Sequence, residues 1–94
     1  MIKYLDNNFD NEIKNGIVLV DFYADWCGPC RMMSSILEEI NNIDILKVNV
    51  DKFPLIAQKY GVISIPSLFL FKNGILIKKH TGFLDKKSLL DFVK

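Results

Sequence analysis

The chain has 94 residues, of which 50% are hydrophobic and 24% charged, with a net charge of +1. That length sets the expectation of one domain spanning residues 1–94, and so even a charge balance gives no basis for binding nucleic acid or an anionic membrane. No stretch approaches the roughly 18 continuous apolar residues of a membrane span; Met1-Ile2-Lys3-Tyr4-Leu5-Asp6 carries no secretory leader pattern, so a cytoplasmic location is expected.

Residues 2–5 read as a short first strand. Asn7, Asn8 and Asp10 offer caps for a short helix carrying Phe9 and Ile13, with Gly16 as its stop. Ile17–Tyr23 is apolar on both faces apart from Asp21, the pattern of a central buried strand. A helix starting near Cys27 places Met33, Leu37 and Ile40 along one side, and Met32 and Ile36 widen the stripe. Residues 43–50 form the next strand, with Leu46, Val48 and Val50 on one face. Asp51 is read as the cap of a helix with Pro54 in its first turn and Gly61 just past its end. Residues 67–71 and 75–79 are strands around Lys72-Asn73-Gly74, and Asn-Gly is a strong hairpin signal because both residues tolerate positive φ. Asp85 caps a final helix with Leu89, Leu90, Phe92 and Val93 facing inward. The order β-α-β-α-β-α-β-β-α makes the first three strands parallel and the last pair antiparallel, giving an α/β mixed sheet with helices on both faces.

The chemistry centres on Trp26-Cys27-Gly28-Pro29-Cys30, which holds the only two cysteines. A thiolate, not a thiol, attacks a disulfide, and a helix N-terminus stabilises a thiolate through its unpaired N–H groups and dipole. Cys27, at the helix start, is the candidate nucleophile. Cys30, one turn inward, is placed to resolve a mixed disulfide. Gly28 allows a partner backbone to approach, and Pro29 fits the first helical turn, where its missing N–H costs little. A structural zinc site usually needs four Cys or His ligands, and only His80 remains, so no metal is expected. A permanent disulfide closing so small a loop would add little stability; in a reducing compartment a catalytic pair is the better reading.

Asp21 interrupts a strand that should be buried. An isolated buried carboxylate is costly, so Asp21 is expected to be partly protonated, hydrated or paired, with Lys47 of the neighbouring strand as candidate partner. A half-solvated edge position is the alternative. If buried, Asp21 is a candidate proton acceptor for the Cys30 thiol. Pro66 precedes a strand, an unusual place for proline, and local energetics alone favour a trans Ile65-Pro66 bond. Ser34, Ser35 and His80 read as surface or ordinary packing residues, Met32 and Met33 as core filler, and Lys78-Lys79 and Lys86-Lys87 as solvated faces.

Val20-Asp21-Phe22, Ala24, Trp26-Cys27-Gly28-Pro29-Cys30, Lys47-Val48-Asn49-Val50-Asp51, Tyr60-Gly61-Val62, Ile65-Pro66-Ser67, Phe71-Lys72-Asn73-Gly74 and Gly82 occur in that order. Over nearly its whole length the chain thus resembles the thioredoxin family. The resemblance implies the thioredoxin fold, a five-stranded mixed sheet flanked by four helices. It implies a cis Ile65-Pro66 bond beside the cysteines and a shallow apolar substrate surface of Trp26, Gly28, Pro29, Ile65, Pro66 and Gly82. It implies Asp21, with Lys47 nearby, as a buried proton relay. The implied activity is thiol–disulfide oxidoreduction: a monomer reducing protein disulfides through reversible oxidation of Cys27 and Cys30, with no other cofactor, recycled by a thioredoxin reductase. Oxidising and isomerising relatives usually carry a His where Pro29 stands, which favours the reductant reading. A scaffold subunit without redox activity is the rival from another class. Ser35 departs from the family, replacing a proline that kinks the active-site helix in many members. The chain is also shorter than typical members, so an abbreviated first strand and last helix are expected.

Overall fold

Hydrophobic alternation along the strands and helical stripes between them resolve into nine elements in the computed structural model, which describes Met1–Lys94. They are β1 (Ile2–Tyr4), α1 (Phe9–Ile13), β2 (Ile17–Tyr23), α2 (Gly28–Leu37), β3 (Asp44–Asn49), α3 (Pro54–Lys59), β4 (Ser67–Lys72), β5 (Ile75–Thr81) and α4 (Lys86–Phe92). The strands form a five-stranded sheet in the order β1-β3-β2-β4-β5. β3 runs parallel to β1 and β2, while β4 is antiparallel to β2 and β5. This is the mixed sheet and element order expected from the sequence.

Successive side chains of a strand point to opposite faces, and the two cores follow from that alternation. Val18, Val20 and Phe22 of β2 pack with Leu46, Val48, Phe69 and Phe71 beneath Phe9 and Ile13 of α1 and Ala57 of α3. Leu19 packs on the opposite face with Ile45, Leu68 and Leu70, covered by Met33 and Leu37 of α2 and Leu89 of α4. Asp21 shares this second face. It pairs in register with Lys47 on one side and Leu68 on the other, and it is 0% exposed. The edge-exposed alternative for Asp21 is therefore excluded.

Local signals account for most element ends. Asn8 and Asp85 cap α1 and α4, their side-chain oxygens accepting from the backbone N–H groups of Asn11 (3.0 Å) and Ser88 (2.8 Å). The β4–β5 turn places Asn73 at φ 50° and Gly74 at φ 84°, the left-handed region that Asn and Gly tolerate. Asn73 also ties this turn to the start of β2. Its side-chain oxygen accepts from the Gly16 N–H (2.8 Å), and its own N–H donates to the Gly16 carbonyl (2.9 Å).

Three expectations are corrected. Asp51 does not cap α3: Phe53 precedes that helix without a side-chain cap, and Asn49 organises the turn by accepting from the N–H groups of Asp51 (2.9 Å) and Lys52 (3.2 Å). Met32 is 58% exposed and Leu90 38% exposed, because only the centre of each helical stripe reaches the sheet. β3 ends at Asn49 rather than Val50, whose N–H donates to the Tyr23 carbonyl (2.9 Å) in the loop beyond the ladder. β1 has 3 residues and α4 has 7. Ser35 lies inside α2, which runs without interruption from Gly28 to Leu37, and its hydroxyl donates to the Arg31 carbonyl (3.5 Å).

Candidate active site

β2 ends at Tyr23, and a short loop delivers Cys27 to the N-cap position of α2. There its sulfur accepts from the Cys30 backbone N–H (3.2 Å), a bond that satisfies one of the free donors of the helix end. A disulfide joins Cys27 to Cys30, with the Cα atoms 5.2 Å apart. Both are buried, Cys27 at 5% and Cys30 at 1% exposure. Pro29 fills the first turn and is exposed, and Gly28 is half-buried. A Cβ on Gly28 would meet nothing closer than the Arg31 guanidinium at 4.0 Å, so the space beside Gly28 is open.

The opposite wall comes from the segment before β4. The Ile65-Pro66 bond is cis, contrary to local energetics and in line with the family resemblance. The Ile65 carbonyl oxygen lies 3.8 Å from Cys27 Sγ. Gly82, at φ 103°, donates its N–H to the Pro66 carbonyl at 2.8 Å. Trp26 is 70% exposed, and its Nε1–H donates to Asp51 Oδ2 at 2.9 Å. Trp26, Gly28, Pro29, Ile65, Pro66 and Gly82 thus gather around the cysteine pair. Asp51 joins them, which its spacing did not signal.

Beneath the disulfide lies a second, charged layer. Asp21 Oδ2 is 3.6 Å from Lys47 Nζ, an ion pair too long for a hydrogen bond. Neither carboxylate oxygen has a hydrogen-bond partner. Burial raises the Asp21 pKa from 3.8 to about 6, against the opposing pull of the Lys47 charge. The Lys47 ammonium donates to the Ser34 hydroxyl and lies 4.7 Å from the Tyr23 ring centroid and 5.7 Å from that of Tyr4. Burial, followed by the Asp25 charge, pushes the Tyr23 phenol up, which keeps it neutral. A cavity of about 210 Å³ is lined by Cys30, Ser34, Lys47 and Tyr23 among others, so Cys30 and the cation that reaches Asp21 share one space. The largest surface hollow, about 530 Å³ beside Phe9, Lys59 and Tyr60, has no cysteine or buried carboxylate in its lining.

By sequence alone Ser34 is an ordinary surface or packing residue. Its one available signal is its position four residues after Cys30, which puts both on one helical face. Nothing in the spacing identifies Lys47 as the strand residue that meets it.

The arrangement places a disulfide at a helix N-terminus, where a thiolate released on reduction would be stabilised, and a buried carboxylate of raised proton affinity on the adjoining strand. Known proteins agree with it. A family model described as Thioredoxin matches residues 1–94. A thioredoxin of Staphylococcus epidermidis is 45% identical over 96 residues, covering 97% of this chain and 92% of its own. One from Staphylococcus saprophyticus is 42% identical over 99 residues, covering 100% and 95%. Among solved structures, a mutant thioredoxin from Halobacterium salinarum superposes with a TM-score of 0.89 at 35% identity, covering 98% of this chain and 87% of its own. No helix is long and apolar enough to cross a membrane. The chain belongs to the thioredoxin family and is a thiol–disulfide oxidoreductase working through the Cys27–Cys30 pair.

Proposed function

We propose that the chain is a cytoplasmic, monomeric reductant of protein disulfides, that residues 1–94 form one domain, and that a thioredoxin reductase returns it to the dithiol state. The observation that carries this reading is the asymmetry of the pair. The sulfur of Cys27 caps α2 and accepts a backbone N–H, whereas Cys30 is the more deeply buried of the two. Hydrogen bonding and the helix dipole favour the thiolate at Cys27.

In the proposed cycle, the Cys27 thiolate attacks one sulfur of a substrate disulfide. The S–S bond breaks, the distal substrate sulfur leaves as a thiolate, and Cys27 becomes joined to the other half. Asp21 accepts the Cys30 proton through the cavity shared with Lys47. The Cys30 thiolate attacks Cys27 Sγ, releasing the second substrate thiolate and forming the Cys27–Cys30 disulfide. An electron pair has passed from the dithiol to the substrate, and the two thiol protons balance those taken up by the products. The cysteine pair is its own electron carrier and calls for no cofactor. The reductase reverses the cycle, and its direction follows from the relative reduction potentials.

Trp26, Pro29, Ile65 and Pro66 offer apolar surface to the polypeptide flanking the substrate disulfide. Gly28 and Gly82 keep that surface shallow, because a side chain at either would stand over it. The positive φ of Gly82 would also strain any other residue.

Insulin reduction by Cys27→Ser and Cys30→Ser variants tests the assignment. Cys27→Ser should abolish turnover, and Cys30→Ser should stall as a mixed disulfide with substrate. Turnover that survives loss of both thiols would refute it.

A further inference from the structure

We propose that Ser34 is a positioning residue for this site: its hydroxyl accepts a hydrogen bond from the Lys47 ammonium, holds that cation beyond hydrogen-bonding reach of Asp21, and so sets how readily Asp21 takes a proton. This rests on the reading of Asp21 as the acceptor of the Cys30 proton.

The geometry around Lys47 carries the argument. Its ammonium has three N–H donors. One is given to Ser34. The faces of Tyr23 and Tyr4, 4.7 and 5.7 Å away, attract the cation from the side. The remaining gap to Asp21 Oδ2 is 3.6 Å, and both oxygens of that fully buried carboxylate lack a donor. A buried carboxylate beside a cation with donors to spare would ordinarily close to a charge-assisted hydrogen bond. Here Ser34, one helical turn beyond Cys30, competes for the same ammonium.

Few other titratable groups line the cavity at Lys47. β2 contributes Tyr23, β1 contributes Tyr4, and the loop before α2 contributes Asp25. α2 contributes Cys30, held in the disulfide, and Arg31, which donates to the Asp25 carbonyl at 3.0 Å. β4 sets apolar Leu68 against Asp21, and His80 of β5 lies beyond Leu68 on the same sheet face. Lys47 alone is within ion-pair distance, so what moves Lys47 moves Asp21.

Ser34→Ala removes one oxygen from a half-buried helical site and improves helix propensity. The fold is therefore retained, and the freed ammonium closes on Asp21. Full hydrogen bonding of the ionised form lowers a carboxyl pKa. Carbon-13 NMR titration of the Asp21 carboxyl in the oxidised protein, where the cysteines do not titrate, reads this directly. Ser34→Ala should move the Asp21 midpoint down by about one pH unit, and Ser34→Thr, which keeps the hydroxyl, should stay near the wild-type value. A midpoint in Ser34→Ala that is unchanged or higher overturns the proposal. The pH dependence of mixed-disulfide resolution separates it from the relay reading. With a midpoint one unit lower, Ser34→Ala should resolve about fivefold faster at pH 5, from the larger ionised fraction of Asp21. A titration that moves while the rate profile stays fixed supports the role of Ser34 and refutes Asp21 as the acceptor.

Discussion

Phe22 and Asp21 are neighbours on β2, yet they face two differently built interiors. Phe22 enters a layer in which its ring centroid lies 5.1 to 6.5 Å from those of Phe9, Tyr60 and Phe69, and Phe71 packs in turn on Phe9 and Tyr60 at 5.9 and 5.8 Å. No charged residue belongs to that core. Asp21, on the opposite face, is equally buried, but it lies against a cation and has no hydrogen bond to its carboxylate. Aromatic packing of the first kind adds stability beyond area burial. A buried, imperfectly paired charge of the second kind subtracts from it. One strand thus stabilises the fold with one face and holds a destabilising carboxylate with the other.

The largest stability effect should come from breaking the aromatic face. Phe22→Ala removes a side chain that is 0% exposed, and a cost of about 3–5 kcal/mol is expected in urea unfolding. The cysteine pair forms a separate cluster with Ala24 at the end of the sheet, so a variant that remains folded should still reduce insulin. A loss below 1 kcal/mol would mean that the two faces do not differ as described.

Asp21→Asn should act in the opposite direction. Asp21 binds its proton more tightly in the folded chain, with a pKa of about 6, than at its ordinary value of 3.8. Protonation therefore favours the folded state. Its contribution is full below about pH 4, is lost as pH rises through 6, and is constant above that. The difference corresponds to about 3 kcal/mol, an order-of-magnitude figure for a buried pair. Asp21→Asn should be more stable than wild type at pH 7 by up to that amount and nearly equal at pH 4, where both side chains are neutral. Chemical unfolding at the two pH values checks this, and a variant less stable at pH 7 would contradict the cost assigned to Asp21.

A smaller effect is expected at Asp51, which holds the exposed Trp26 ring by a single hydrogen bond. Asp51→Ala should change stability by no more than about 1 kcal/mol. It should weaken substrate capture, seen as a raised KM for insulin, because the ring loses its tether. A stability loss with unchanged KM would move Asp51 to the structural side of the comparison.

The two faces were also unequally legible in the sequence. Ile17–Tyr23 appears as a strand because its apolar run has sharp ends, and Asn73-Gly74 names its own turn. The position of Cys27 at a helix start follows from the strand before it and the apolar stripe after it. The pairing of Asp21 with Lys47 was accessible because both interrupt buried strands. Ser34 was not, since helical periodicity says which side of α2 it occupies but not which strand residue lies opposite. Asp51 looked like a cap because acidic residues before Pro-led helices often are, while Asn49 two positions earlier took the turn. The cis Ile65-Pro66 bond runs against the local preference, and only the family resemblance anticipated it.

The most direct test of the proposal that Asp21 takes the Cys30 proton is stopped-flow measurement of mixed-disulfide resolution between pH 4 and 8, in wild type and Asp21→Asn. Wild-type resolution should slow as pH falls through about 6, whereas Asp21→Asn should be slow across the range and lack that acidic limb, with initial attack by Cys27 less affected. Superimposable profiles would contradict the account, leaving Asp21 as a destabilising residue with no part in moving the Cys30 proton.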